Sequence, residues 1–324
     1  AATALVLMVG LTGCLRDELP VPGRAKPVHE GPGSLFEAQV CIGADYGDQV
    51  WYDLGSNTEV SRNSREAWDL ALESATDGWR VRLNPARLMR AIRTSHSDLA
   101  AVTDTVGLGG NWLIDAPSGH ADSTAFGDGQ DGKVVVVDMG FSALGTNMGY
   151  HKVQLVSVDA YGYTLRHAPL SGGPVQEVHV PKDDLRTYVH LSLTQNQPKT
   201  IAPPNGTYDL VFTQFTTQFY EPYMPYLVTG VVNGFSGVRV AYVYQPDFEA
   251  VGLDVLDSHP YSTREDAVGY DWKEYSFNTS SYVIYPEQVY LVEDTDGDVY
   301  KLRFIDFYGS TGQRGCPTIE AVRL

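Results

Sequence analysis

Apolar and polar positions alternate most clearly near the C-terminus, from Gln288 to Gly309. Tyr300, Leu302 and Phe304 alternate with Lys301, Arg303 and Ile305, and this period of two is typical of a strand with one buried face. Asp294-Thr-Asp-Gly-Asp298 precedes it, and its Asp-Gly pair supplies the positive φ angles of tight strand reversals. The pattern predicts a β-hairpin.

The same pattern of strand-like segments occurs earlier in the chain, and this repeat predicts a tandem duplication. Four pairs of segments match in the same order: 50–54 with 187–191, 68–72 with 208–212, 133–138 with 288–294, and 152–162 with 301–309. The earlier member of the last pair is two residues longer, and a two-residue difference keeps the same face of a strand buried. We therefore expect two β domains, residues 36–185 and 186–324.

Composition supports this picture. The 324 residues include 20 Tyr and 32 Gly, which suits strands and turns, so we expect an all-β fold of two antiparallel domains with few short helices. Residues 86–93 fit one short helix or an irregular strand, and their arginines are expected to form a solvated face.

Charge and motifs exclude several functions. The formal net charge of −17 disfavours nucleic acid as a partner. No nucleophile elbow, zinc-protease, phosphate-loop or Cys-x-x-Cys motif is present, so we expect no enzyme. Asp294-Thr-Asp-Gly-Asp298 opens like a calcium loop, but the twelfth position is Ile305 and not an acid. The hairpin turn is the better interpretation, and we expect no metal site there.

The N-terminus resembles the end of a bacterial lipoprotein signal. An apolar run too short to span a bilayer ends in Leu11-Thr-Gly-Cys14, which is similar to a lipobox. We expect residues 1–14 to be a signal remnant ending at a lipidated Cys14, and residues 15–35 to be a flexible tether. Cys41 and Cys316 then remain, either as a disulfide worth roughly 4 kcal/mol or as two free buried thiols.

Several of these segments resemble the HmuY family of Bacteroidetes-type surface lipoproteins. The resemblance rests on Tyr208-Asp-Leu-Val-Phe212, Tyr226-Leu-Val-Thr-Gly-Val-Val-Asn233, Gly269-Tyr-Asp-Trp-Lys273 and, above all, Tyr300 to Gly309 with the following Gly312-Gln-Arg-Gly315. It implies an all-β fold of packed antiparallel sheets, lipid anchoring at the outer membrane, and haem capture through two axial His or Met side chains.

The chain offers two sets of candidate haem ligands. Met224, in the aromatic loop Phe219-Tyr-Glu-Pro-Tyr-Met-Pro-Tyr226, and His259 are the donors of the C-terminal half, although packing of loop aromatics over a sheet end is the simpler explanation of this loop. The alternative ligand loop is 139–151, which replaces the tight hairpin turn in the first copy. Its donors are Met139, Met148 and His151.

Other histidines are interpreted as structural. His167, His179 and His190 lie in strand-like segments and are expected to be satisfied within a sheet.

Two functions follow from the sequence. The first is an outer-membrane-anchored binding lipoprotein that captures haem or another tetrapyrrole and passes it to an outer-membrane transporter. The alternative is a non-catalytic accessory or structural subunit of an outer-membrane complex, which has no cofactor and binds other subunits. Either protein would lie at the cell surface or the periplasmic face, held to the membrane by lipid.

Overall fold

A computed structural model describes residues 33–234 and 237–324, so the predicted signal remnant with Cys14 and nearly all of the predicted tether lie outside the described residues. The all-β prediction is confirmed: the described chain is built of antiparallel strands and short 3-10 turns. The strands are β1 Leu35–Gln39, β2 Asp48–Asp53, β3 Thr58–Ser64, β4 Leu70–Glu73, β5 Val81–Leu83, β6 Arg90–Arg93, β7 Val135–Asp138, β8 Tyr150–Val158, β9 Gly162–Pro169, β10 Gln176–Pro181, β11 Tyr188–Ser192, β12 Gln197–Lys199, β13 Leu210–Tyr220, β14 Tyr223–Val232, β15 Arg239–Tyr244, β16 Lys273–Ser276, β17 Ser281–Ile284, β18 Gln288–Glu293, β19 Val299–Tyr308 and β20 Arg314–Arg323.

Four sheets form two sandwiches with the same strand order. In the first sandwich, the sheet β12-β11-β4-β5 packs on β10-β9-β8-β7-β6. In the second, β3-β2-β13-β14 packs on β1-β20-β19-β18-β15. The strands β1 to β3 therefore occupy, in the second sandwich, the places that β10 to β12 occupy in the first.

Strand pairing consequently crosses the predicted boundary at 185/186. The first three strands of the chain complete the second sandwich, whereas β11 and β12, which follow the boundary, complete the first. The predicted tandem duplication stays a prediction, and the repeated strand order is the arrangement that a duplication would produce.

The two four-stranded sheets face each other across the middle of the molecule. Trp51 and Val211 of the second sandwich pack there with Trp68, Ala71 and Tyr188 of the first. The outer faces of the five-stranded sheets are covered by the 3-10 turns Leu99–Ala101 and Phe248–Ala250.

Equivalent buried lysines hold these covering turns. Lys152 on β8 donates to the carbonyls of Leu99 and Val102, both at 2.8 Å, and Lys301 on β19 donates to that of Phe248 at 3.0 Å. Each lysine thereby joins its five-stranded sheet to the 3-10 turn that covers it.

The arginines of residues 86–93 correct one prediction. The segment is a 3-10 turn, Pro85–Arg87, followed by strand β6. Arg87 is fully buried and pairs with Asp69, while Arg90 pairs with Asp138 at 2.6 Å. The prediction of a solvated face is therefore wrong for Arg87, which Asp69 neutralises inside the first sandwich, whereas the side chain of Arg90 is 38% exposed.

Candidate functional site

A half-open cleft of about 390 Å³ lies at one end of the second sandwich. Phe215 and Thr217 of β13 line one wall, and Tyr242 of β15 and Tyr290 of β18 line the other. The loop 266–271 closes the floor. We call this space the aromatic cleft. Its volume falls within the range of small-molecule sites, about 300–1,000 Å³.

The long hairpin β13–β14 builds the first wall. These strands have 11 and 10 residues, against 4 and 3 in the equivalent strands β4 and β5, so the hairpin continues beyond the sandwich. Directly opposed residues share a face, and the pairs include Phe215 with Val228 and Phe219 with Met224. Met224 therefore lies on the same face of the hairpin as the residues that line the aromatic cleft.

Aromatic rings continue along this face beyond the cleft. The rings of Phe219 and Tyr226 stack with centroids 5.0 Å apart. Met224, opposite Phe219, has 37% of its surface exposed. The hairpin thus presents a stacked aromatic surface with a thioether at its outer end.

The floor is tied to the first sandwich. Arg82 of β5 makes a two-fold ion pair with Glu265 at 2.8 and 3.0 Å, and Glu265 directly precedes the loop 266–271. Within the same loop, the Gly269 amide and carbonyl both bond to Val231 of β14. These contacts fix the loop between the hairpin and the second wall.

The polar groups that line the cleft are mainly tyrosine hydroxyls and aspartate carboxyls. Burial raises the pKa of Tyr242 and Tyr270, so both hydroxyls keep their protons at neutral pH. Burial also raises the pKa of Asp271, with a further increase from nearby Asp266, while Lys273 lowers it. The lining residues include no histidine. The cleft therefore offers a ligand aromatic rings together with hydroxyl and carboxyl groups.

Lys273 lies behind the floor in an aromatic setting. Its ammonium group lies 4.2 Å from the ring centroid of Trp272 and donates to the carbonyl of Thr229. Burial lowers the pKa of Lys273 to about 7.

The structure does not bring Met224 and His259 together. His259 follows the 3-10 turn Leu253–Asp257, where its Nδ1 atom lies 3.2 Å from the carbonyl oxygen of Val255. That turn packs on the outer face of the five-stranded sheet, and the aromatic cleft lies on the inner side. Of the two predicted donors, only Met224 is placed beside the cleft.

The alternative ligand loop is divided between core and surface. Met139 is 1% exposed in the core of the first sandwich, whereas Met148 is 37% exposed. His151 is 8% exposed on β8, and its ring centroid lies 6.1 Å from that of His167. Because Met148 lies at the surface and Met139 and His151 are buried, the three donors do not line one ligand-binding site.

Two of the histidines interpreted as satisfied sheet residues are not fully satisfied. Among the residues that the structure describes, the Nδ1 atoms of His167 and His190 have no hydrogen-bond partner. His190 is fully buried against Trp68, and burial lowers its pKa to about 3. The third, His179, lies exposed on β10.

Three further sequence expectations concern cysteines, calcium and membrane spans. Cys41 and Cys316 are bonded to each other.

In the part of the chain with described positions, no group of three or more His, Cys, Asp or Glu side chains could hold a metal ion. Asp294 instead accepts from the backbone amides of Asp296 and Asp298, as a hairpin turn requires. Between residues 33 and 324, leaving aside 235 and 236, no helix is long and apolar enough to cross a bilayer.

Asp209, at the opposite end of the second sandwich, is expected to make stability pH-dependent. Its carboxylate accepts from the Leu54 amide at 2.8 Å. Burial, with Asp53 and Asp294 nearby, raises its pKa to about 8. The stability that its protonated form contributes is present below about pH 4 and is lost as the pH rises through about 8.

We therefore expect Asp209→Asn to equal the native chain near pH 4 and to become relatively more stable up to about pH 8. The difference should grow by at most about 1.4 kcal/mol per pH unit, since one proton is involved. Urea denaturation at each pH measures it. The exposed Asp77→Asn is the control, and a difference that does not vary with pH would contradict the assignment to Asp209.

The fold and cleft together define an all-β protein with a half-open, aromatic site of small-molecule size. The chain belongs to the HmuY family: the family model described as HmuY protein matches residues 45–320, which span both sandwiches. The resemblance found in the sequence is thereby confirmed. The chain has no match among curated proteins.

Solved structures that match the chain share little sequence identity with it. Apo PinO from Porphyromonas gingivitis is 8% identical, with 90% of this chain and 97% of that chain covered and a TM-score of 0.34. The apo HmuY analog of Tannerella forsythia is 10% identical, with 91% and 98% covered and a TM-score of 0.25. A Bacteroides vulgatus protein described as HmuY-like and heme binding is 11% identical, with 88% and 91% covered and a TM-score of 0.21.

Proposed function

We propose that this chain binds haem or a similar tetrapyrrole in the aromatic cleft. The observation that carries the proposal is the position of Met224 on the hairpin face that also lines the cleft with Phe215 and Thr217. Membership of the HmuY family supports the choice of ligand class. The role is binding and delivery, without catalysis.

The residues present fit such a ligand. Aromatic side chains such as Phe219 and Tyr226 provide flat surfaces for stacking on a macrocycle, and the thioether of Met224 is a soft donor for iron. When bound, haem would supply the iron that takes an axial ligand. Tyr242 and Tyr270 remain neutral hydroxyl groups that donate hydrogen bonds and add no charge to the cleft.

The proposal extends to where the protein works. A lipid on Cys14 would anchor the chain at the outer membrane, with residues 15–35 as the tether. An outer-membrane transporter would then receive the ligand. This part of the proposal rests on the lipobox-like sequence and on family membership.

A haemin titration followed at the Soret band tests the function. We expect saturable binding at micromolar haemin and a loss of affinity of about 10-fold or more in Met224→Ala, because an axial donor is removed. Met148→Ala is the matched control, since both methionines have 37% of their surface exposed. Tyr242→Ala should also weaken binding, and His259→Ala should not.

Two results would contradict the proposed site. Absence of a saturable Soret shift would remove the haem-binding function. A shift that depends on His151 and is unchanged in Met224→Ala would move the site to the first sandwich.

Exposed aromatic residues favour a second candidate function, an accessory subunit of an outer-membrane complex. Tyr220 at the tip of β13–β14 and Phe277 in the β16–β17 hairpin are 75% and 88% exposed. Aromatic side chains are enriched at protein interfaces. Native purification from the membrane should then recover a stoichiometric partner, and a clean monomer would count against this function.

A further inference from the structure

Three potential metal donors lie at one end of the first sandwich, on β8, on β9 and directly after β7. In the sheet register, His151 on β8 faces Val137 on β7, and His167 on β9 faces Val153 on β8. Met139 lies two residues beyond Val137, so all three donors project from the inner face of the sheet. We call them the His–His–Met corner.

The tautomer of His167 is fixed by its neighbour. Its Nε2 atom lies 2.9 Å from Asn196 Oδ1, which can only accept, so Nε2 carries the proton. The Nδ1 atom then carries a free lone pair, and it has no hydrogen-bond partner among the residues that the structure describes. His167 is 1% exposed, so this lone pair is also shielded from bulk water. A histidine that binds a metal through one ring nitrogen commonly donates a hydrogen bond from the other.

His151 and the surrounding charges complete the environment. The Nδ1 atom of His151 is likewise buried and lacks a partner within the described chain. The charged side chains of Asp69 and Arg87 lie close to these imidazoles and pair with each other.

The equivalent corner of the second sandwich carries none of these donors. Lys152 and Lys301 are equivalent, as are Asp69 and Asp209, which accept from the amides of Leu193 and Leu54. Counting along the paired strands from these positions gives the following equivalents: Tyr300 for His151, Ala321 for His167 and Asp294 for Met139. The sandwich can therefore be built without imidazoles at this corner, so folding alone does not require them.

We propose that the His–His–Met corner binds one soft metal ion of the monovalent copper type. The ligands are the Nδ1 atoms of His151 and His167 and the thioether of Met139. The thioether favours such an ion over Mg²⁺ and Ca²⁺, which take oxygen ligands, and over Zn²⁺, whose sites combine imidazole with thiolate or carboxylate donors. The site lies in the first sandwich and is separate from the aromatic cleft, which lies in the second. The surface loop 140–149 next to His151 is the entry path.

Anaerobic titration with Cu⁺, buffered by a chromogenic chelator, tests the proposal in the full chain. A Cys14→Ser background removes the thiol that would compete. We expect one tightly bound equivalent. His167→Ala should lower the affinity by on the order of 100-fold, because one of the three proposed ligands is lost. His151→Tyr should do the same, and both variants place at this corner residues that the second sandwich already accommodates.

Two matched variants separate binding from folding. Met139→Leu should weaken Cu⁺ binding about 10-fold, whereas Met89→Leu, a buried methionine of the same core, should not. Asn196→Gly preserves the left-handed backbone at φ 50° and removes the tautomer lock, so it should weaken binding about 10-fold to 100-fold. His179→Ala, on the exposed face of β10, should leave binding unchanged.

The outcomes decide the proposal independently of haem binding. Absence of a one-to-one Cu⁺ complex, or equal affinity in the native chain and His167→Ala, would overturn it. Equal weakening by Met89→Leu and Met139→Leu would also overturn it, because the effect would then follow core packing. Haemin binding should be unchanged in His167→Ala, so a failure of one proposal is distinguishable from a failure of the other.

Discussion

Replacing Arg87 with methionine should lower the free energy of unfolding by about 3–5 kcal/mol. Arg87 and Asp69 are each only 2% exposed and form an ion pair inside the first sandwich. Arg87 also donates to the carbonyl of Met139 at 2.8 Å. Methionine preserves much of the side-chain volume but leaves the Asp69 carboxylate buried without its counter-ion. Urea denaturation of native and variant chains measures the loss.

Two further variants show whether the cost comes from the unpaired charge. Asp69→Asn combined with Arg87→Met removes both charges, and the asparagine oxygen can still accept from the Leu193 amide, so this double variant should recover most of the stability. Arg62→Met breaks an exposed ion pair with Asp48 and should cost about 0–1 kcal/mol. A loss below about 1 kcal/mol in Arg87→Met would contradict the assigned role.

Local elements of the fold were predictable from the sequence. The stretch from Gln288 to Gly309 contains strands β18 and β19, and the predicted Asp-Gly turn joins them with Gly297 at φ 85°. All four matched pairs of segments overlap strands at equivalent places in the two sandwiches. These strands are β2 and β11, β4 and β13, β7 and β18, and β8 and β19. Period-two alternation and turn chemistry are local properties, so they are visible without knowledge of the fold.

Long-range pairing was not predictable in the same way. Nothing in β1 to β3 indicates that they complete the second sandwich, since the register of a strand depends on a partner far along the chain. Arg87 shows the same limit, because its burial depends on Asp69 and on the sheet that covers both. A cluster of arginines is ordinarily solvated, and only the tertiary structure reveals the exception.

In the candidate sites too, local sequence predicts some residues and only tertiary contacts reveal the others. Met224 was identified from its aromatic surroundings, which are contiguous in sequence. The opposite wall with Tyr242 and Tyr290 comes from β15 and β18, whose contact with the hairpin is tertiary. His167 was assigned to the sheet because a strand histidine is usually satisfied, and its free Nδ1 atom depends on Asn196, 29 positions away in the chain. In both sites, the sequence analysis identified one residue, and the residues that complete the site come from distant parts of the chain.

Removing the disulfide between Cys41 and Cys316 should lower the free energy of unfolding by about 4–5 kcal/mol. The two cysteines are 275 positions apart, so the bond closes nearly the whole described chain into one loop and restricts the unfolded ensemble strongly. It also fastens the chain just after β1 to strand β20, at a point where Val40 and Ile42 donate to the carbonyls of Pro317 and Gly315. The bond thereby secures the N-terminal strands to the sandwich that they complete.

The double variant Cys41→Ala/Cys316→Ala measures this contribution by urea denaturation, with and without a thiol reductant. The native chain should lose stability when reduced and approach the double variant, whereas the double variant should not respond to reductant. Because β1 to β3 form part of the second sandwich, haemin binding in the aromatic cleft should survive only where that sandwich remains folded. Equal stability of the native chain and the double variant under oxidising conditions would show that hydrogen bonding of β1 to β20 suffices without the covalent link.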